Sequence, residues 1–185
     1  MKEKVVFLDR DGVINYDSSE YIKSWNEFVF IPKSKKAVKL LSDYGFSIII
    51  ISNQSGINRK LILKDELDRI HVNMIKSLGE CGGIIKDIFY CPHTPEQECR
   101  CRKPKTGLIE KAQKKYNIDL LSSVMVGDST KDIECAKKSG CKKAILVQTG
   151  NGIESEKILS DRNIFPDYIA RDIYHAVQWI IGLKS

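Results

Sequence analysis

Three aspartates and one cluster of thiols are the residues of this chain best suited to chemistry. Asp9 and Asp11 stand one residue apart in Val5-Val6-Phe7-Leu8-Asp9-Arg10-Asp11-Gly12, and Asp128 closes the run Val124-Met125-Val126-Gly127. Each acid sits where an apolar run stops. Two carboxylates so spaced permit a division of labour: one attacks phosphorus, while the other gives a proton to the leaving oxygen and later takes one from water. Three carboxylates held together repel unless a cation lies among them, and hard oxygen donors favour Mg²⁺ bound jointly with phosphate oxygens. Ser52, in Ser52-Asn53-Gln54-Ser55-Gly56, adds a hydroxyl donor, and Lys103 adds a point charge. Those are the groups that steady a phosphoryl group in transfer.

The thiol cluster is Cys91, His93, Cys99 and Cys101, inside a polar stretch that runs to Pro104. Three thiolates and one imidazole suit tetrahedral Zn²⁺ with no open position, which makes the expected site structural rather than catalytic. An iron-sulfur cluster fits less well, because its usual ligands are all cysteine. The loop, about residues 91–103, ends at Arg102 and Lys103, so the metal is expected to fix the segment that delivers them to phosphate. Cys81, Cys135 and Cys141 are scattered and read as ordinary small residues.

These residues are far apart in the chain, so the fold must gather them. Apolar runs at residues 5–8, 46–51, 84–90, 124–128 and 144–147 read as buried parallel strands. Helices are expected between them. One has Pro32 near its first position, an apolar face of Ala37, Val38, Leu40 and Leu41, and Gly45 after it. A second runs from Lys64, with Leu67, Ile70, Met74, Ile75 and Leu78 on one face, to a stop at Gly79. The others are a helix capped by Thr106 that runs to Tyr116, one over residues 130–139 closed by Gly140, and a final one over 173–180. The alternation implies an α/β fold: a doubly wound, Rossmann-like parallel sheet with helices on both faces and right-handed crossovers. All strand ends then lie on one edge, and Asp9, Asp11, Ser52, Asn53 and Asp128 converge there.

Residues 13–30 carry five aromatics without sustained periodicity and are expected to cover that edge as a loop. No large cap domain is inserted, so short loops alone should close the site. The 185 residues fit a single domain, 1–185, and 42% hydrophobic with 29% charged residues is ordinary for a soluble globular protein. No stretch is apolar enough to span a membrane. Six cysteines without a visible signal peptide point to reduced thiols and a cytoplasmic location. The net charge of +6 raises one alternative, a zinc-loop nucleic-acid-binding module using residues 100–105. Aromatics do not interleave with that basic run as stacking platforms would, so no nucleic-acid partner is expected. No Walker A motif, dinucleotide loop or nucleophile elbow is present.

Four stretches, taken in order, resemble the four motifs of haloacid dehalogenase-type phosphatases. They are Phe7-Leu8-Asp9-Arg10-Asp11-Gly12, Ser52-Asn53-Gln54-Ser55-Gly56, Cys101-Arg102-Lys103-Pro104 and Val126-Gly127-Asp128-Ser129-Thr130-Lys131-Asp132. The resemblance implies that Asp9 is the nucleophile, forming an aspartyl-phosphate, and that Asp11 is the general acid/base. It implies phosphoryl stabilisation by Ser52 and Lys103, and Mg²⁺ held by Asp9, the Asp11 main-chain carbonyl and Asp128, with Asp132 behind them. The zinc loop resembles that of two groups within the family, the heptose bisphosphate phosphatases and the histidinol-phosphate phosphatases. The stretches around Asn53, Phe28 and Gln148 favour the heptose group, whereas the short interval from His93 to Cys99 is common among the histidinol group. On the heptose reading the partner is a small phosphorylated sugar, Asn53, Gln54, Ser55 and Arg102 contact it, and Asp17 to Glu20 line the rim. One departure is Ser129, where the heptose enzymes often carry lysine. The expected assembly is a monomer.

Overall fold

The computed structural model describes residues 4–182. Six parallel strands form one sheet in the order β3-β2-β1-β4-β5-β6: β1 (Val5–Leu8), β2 (Ser47–Asn53), β3 (Ile85–Cys91), β4 (Val124–Gly127), β5 (Lys143–Val147) and β6 (Tyr168–Ala170). Helices α1 (Ser34–Asp43), α2 (Lys64–Gly79), α3 (Gly107–Tyr116), α4 (Thr130–Ser139), α5 (Gly152–Asp161) and α6 (Ile173–Ile180) cover both faces.

Alternation along each strand explains the uninterrupted apolar runs, because both faces of the sheet are buried. Val6, Leu8, Ile48, Ile50 and Val126 point into one core with α1, α2 and α6. Val5, Phe7, Ile49, Ile51 and Met125 point into the other with α3, α4 and α5. Strand order reverses between β1 and β4, which pair through Val6↔Val124 to Leu8↔Val126. That reversal opens a crevice beyond the carboxyl ends of the two central strands, where Asp9 and Asp128 follow directly.

Several expected boundaries move. Pro32 lies before α1, which begins at Ser34 after Lys33 in the left-handed conformation (φ 66°). Gly79 is the last residue of α2 rather than its stop, and the chain turns at Gly82 (φ 84°). Thr106 occupies the N-cap position of α3 without a side-chain cap; its hydroxyl donates to Glu110 instead. On α2 Ile75 is 40% exposed, and His71 takes a place in the buried stripe with Leu67, Ile70, Met74 and Leu78. Strand β6 and helix α5 were not anticipated. Among the described residues no helix is long and apolar enough to cross a membrane.

Candidate active site

The crevice is a cleft of about 290 Å³ lined by residues at the carboxyl ends of β1, β2 and β4, by Asn151 after β5, by Arg102 and Lys103 from the loop after β3, and by the loop after β1. Asp9 leaves β1 with its main-chain N–H still bonded to Val126 O of β4 at 2.9 Å, so the nucleophile candidate is pinned at the switch point itself. Glycine is required where the chain passes Asp128. Gly12 has φ +79° and Gly150 φ +57°, and a Cβ on either would lie 2.2 Å from Asp128 Oδ2.

Lys103 is 2% exposed, yet its ammonium has a partner for each of its three protons: Ile51 O at 2.8 Å, Asp9 Oδ2 at 2.9 Å and Asp132 Oδ1 at 2.6 Å. Burial opposes its charge, but Asp132 and Asp9 more than offset this and hold its pKa above the usual lysine value. Asp132 is wholly buried, and its other oxygen accepts from Ser129 N at 3.0 Å and Ser129 Oγ at 2.7 Å, closing a capping box at the start of α4. The loop carrying Lys103 is clamped by Asn53: Lys103 N donates to Asn53 Oδ1 at 3.0 Å, and Asn53 Nδ2 donates to Lys103 O at 3.2 Å.

Ligand oxygens of Asp9, Asp128 and Asp132 lie within 4.8 Å of one another. Burial, then the neighbouring carboxylates Asp132 and Asp128, push Asp9 well above the ordinary aspartate value, against the pull of Lys103. Burial first, and Asp132 next, raise Asp128 to about 7, although Asn151 N donates to its Oδ2 at 2.8 Å. Acids this unwilling to ionise together form a site that a hard divalent cation relieves, and the all-oxygen donor set fits Mg²⁺.

Asp11 behaves differently. Its carboxylate accepts from Arg10 Nη2 at 2.7 and 2.9 Å, Arg10 Nε at 3.1 Å, Asn15 Nδ2 at 2.9 Å and Gln54 Nε2 at 2.8 Å. Burial works against the ionised form, but Arg10 and these donors outweigh it and hold the pKa below normal.

Of the remaining expected contact residues, Ser52, Asn53, Gln54, Ser55, Arg102 and Asp17 line the cleft. Gln54 also donates to Ser52 Oγ at 2.8 Å, tying that hydroxyl to Asp11. Arg102 donates to His93 O at 3.1 Å. Glu20 does not line the cleft; it borders a neighbouring hollow formed by the same loop, with Tyr16, Lys23 and Glu27. The loop does cover the strand edge: Trp25 stacks on Phe28 and Phe30 meets both rings edge-on as its anchor, and Tyr21 reaches Ser55 with the two hydroxyls 3.4 Å apart. Arg10, Asn15, Lys131, Asn151 and His71 were not singled out from sequence. His71 had one visible signal, its place four residues after Leu67 on the apolar face of α2. Burial, and then Arg10, lower its pKa to about 4, so the ring is neutral.

Cys91, His93, Cys99 and Cys101 come together, with Sγ and Nδ1 atoms 3.2–3.5 Å apart around a common centre. Burial raises the Cys91 and Cys101 thiols, while hydrogen bonds that favour the thiolate outweigh desolvation at Cys99 and lower it. Four donors at the corners of a small tetrahedron fit Zn²⁺, which holds such thiols as thiolates.

A family model described as HAD-hydrolase-like matches residues 100–176. The chain is 40% identical to the D-glycero-beta-D-manno-heptose-1,7-bisphosphate 7-phosphatase of Bordetella bronchiseptica over 80% of this chain and 83% of that one. It is 39% identical to the corresponding alpha-heptose enzyme of Photorhabdus laumondii, over 89% and 94%. The crystal structure of the B. bronchiseptica D,D-heptose 1,7-bisphosphate phosphatase, complexed with magnesium and phosphate, superposes with a TM-score of 0.91 at 34% identity and full coverage of both chains. With these likenesses set beside the four strand-end motifs, the chain belongs to the D-glycero-D-manno-heptose-1,7-bisphosphate 7-phosphatase family of haloacid dehalogenase-like hydrolases.

Proposed function

We propose that this chain is a phosphatase that removes the 7-phosphate of D-glycero-D-manno-heptose 1,7-bisphosphate through an aspartyl-phosphate on Asp9. The observation that carries this reading is the meeting of Asp9, Asp11, Ser52, Lys103 and Asp128 in one small cleft at the sheet's switch point. In the first half-reaction an Asp9 carboxylate oxygen bonds to phosphorus, the bond from phosphorus to the sugar oxygen breaks, and the departing oxygen takes up a proton from Asp11, which must enter the step protonated against the hold of Arg10, Asn15 and Gln54 on its ionised form. In the second, Asp11 takes a proton from water as its oxygen bonds to phosphorus. Inorganic phosphate leaves, and the Asp9 carboxylate is restored. Lys103 orients Asp9 and sets a positive charge beside the phosphoryl group, while the Ser52 hydroxyl offers it a neutral donor. Mg²⁺ bound by Asp9, Asp128 and the Asp11 carbonyl would neutralise charge on the phosphate and let the acids ionise together.

The cleft volume of about 290 Å³ suits one phosphorylated monosaccharide rather than a polymer. Ser129 leaves the position after Asp128 uncharged, and Arg102 and Lys131, both on the cleft wall, supply cations for a second phosphate. Asp17 contributes to the rim through its contact with Asn151 Nδ2 at 3.2 Å. The zinc loop serves to seat Arg102 and Lys103. Residues 1–185 act as one catalytic unit, a monomer working on cytoplasmic sugar phosphates. Phosphate release from both anomers of heptose 1,7-bisphosphate, fructose 1,6-bisphosphate and histidinol phosphate, assayed side by side, tests the reading. A kcat/KM highest for a heptose anomer supports it, and a preference for histidinol phosphate replaces it with the histidine-pathway alternative.

A further inference from the structure

The residue between the two proposed catalytic aspartates is one of the most buried large side chains among the described residues. Arg10 is 1% exposed. Its guanidinium spends Nε and Nη2 on both oxygens of Asp11, at 2.7–3.1 Å, and Nη1 faces His71 Nε2 at 3.4 Å. His71 comes from α2 and does not line the cleft. It is 7% exposed and is itself held by the Tyr90 ring, with centroids 5.7 Å apart. A buried guanidinium has five donors fixed in one plane, so its orientation is set by whatever accepts at its far end. A neutral ring nitrogen provides such an acceptor, whereas a carboxylate there would compete with Asp11 for the charge. Asn15 and Gln54 complete the hold on Asp11 from its other sides.

We propose that His71 and Arg10 are positioning residues for the reaction: His71 orients Arg10, and the Arg10 fork sets the rotamer from which Asp11 meets the leaving oxygen. This rests on the general-acid reading of Asp11. Arg10 borders the cleft, but its guanidinium is engaged by Asp11 and His71, so in kcat/KM, which ends at phosphoryl transfer to Asp9 and leaves out the later attack of water, their loss should matter only where the leaving group needs a proton. A sugar hydroxyl needs one; p-nitrophenolate does not.

The test measures kcat/KM for heptose 1,7-bisphosphate and for p-nitrophenyl phosphate in His71→Phe, His71→Gln, Arg10→Lys and Asp11→Asn, each checked for a native-like unfolding transition. His71→Phe keeps the ring against Tyr90 and removes the acceptor. It should lose roughly tenfold or more on the sugar phosphate, a part of the 10²–10⁴ that a placed proton donor contributes, and less than about twofold on the aryl ester. Arg10→Lys, which keeps charge without the fork, should show the same selectivity and serves if His71→Phe does not fold. His71→Gln, which restores an acceptor, should recover most of the sugar-phosphate rate. Equal losses on both esters, or none on either, in His71→Phe and Arg10→Lys overturn the inference while Asp11→Asn remains selective. If Asp11→Asn loses both esters equally, the general-acid reading fails first and takes this inference with it.

Discussion

Lys103 Nζ and Asp9 Oδ2 lie 2.9 Å apart at the floor of the cleft, and the lysine is the cation against which the proposed nucleophile rests. Breaking a buried pair leaves an uncompensated charge, at a cost of about 3–5 kcal/mol. Lys103→Met should therefore lower the unfolding temperature by roughly 10 °C for a chain of this size, as well as abolish turnover. Thermal unfolding of the purified variant measures it, and an unchanged transition would show that the pair is not a net stabilising contact.

The raised acids give the metal-free protein a distinctive pH dependence. Asp128 binds its proton up to about pH 7 in the folded state, against an ordinary aspartate value of 3.8, and Asp9 is shifted in the same direction. The folded state then holds more protons than the unfolded chain across that window, so metal-free stability should fall as pH rises through it. Mg²⁺ competes with those protons, and its stabilisation should be small near about pH 5 and full near about pH 8. At about 100-fold excess over Kd the full effect is about 2.7 kcal/mol. Differential scanning fluorimetry with and without Mg²⁺ across that range reads it; a Mg²⁺ effect independent of pH would place the cation elsewhere.

The glycines around Asp128 make a sharper steric claim. Gly12→Ala puts a methyl group 2.2 Å from Asp128 Oδ2 at a backbone φ of +79°, so the acid must move. The strain should cost about 1 kcal/mol or more, and the Mg²⁺ requirement for half-maximal activity should rise severalfold. Unaltered Mg²⁺ dependence in a folded Gly12→Ala protein would contradict the packing.

For the thiol cluster, metal analysis should find one zinc per chain. Cys99→Ser should lose it. Because Arg102 and Lys103 follow the last ligand directly, and misplacing a catalytic group by about 1 Å costs on the order of 10²-fold, turnover should fall by a similar factor without any change at Asp9. A Cys99→Ser enzyme that lacks zinc and keeps its rate would show that the loop is seated by protein contacts alone.

Sheet and strand-end motifs were legible because buried parallel strands are apolar on both faces, as the run Ile48-Ile49-Ile50-Ile51 shows. Strand β6 was not, since three residues at the sheet edge, with Ile169 exposed, carry no periodicity to read. The α1 boundary shifted because Lys33 adopts a left-handed conformation that composition does not signal. Within the site, Asp9, Asp11, Ser52, Lys103 and Asp128 stood out by type and position. Arg10 did not, because nothing in its position between two acids signals that it is buried and meets His71 of α2, sixty-one residues away. Asn151 escaped notice for a related reason: its link to Asp128 spans twenty-three positions and depends on the turn after β5.

The most direct measurement of the central claim is intact mass spectrometry of the rapidly acid-quenched enzyme during turnover of heptose 1,7-bisphosphate, run in parallel on wild-type and Asp9→Asn protein. The account predicts a species heavier by one phosphoryl group, mapped to the peptide containing Asp9, in the wild type, with neither that species nor phosphate release in the folded variant. Phosphate release from Asp9→Asn at the wild-type rate would contradict it.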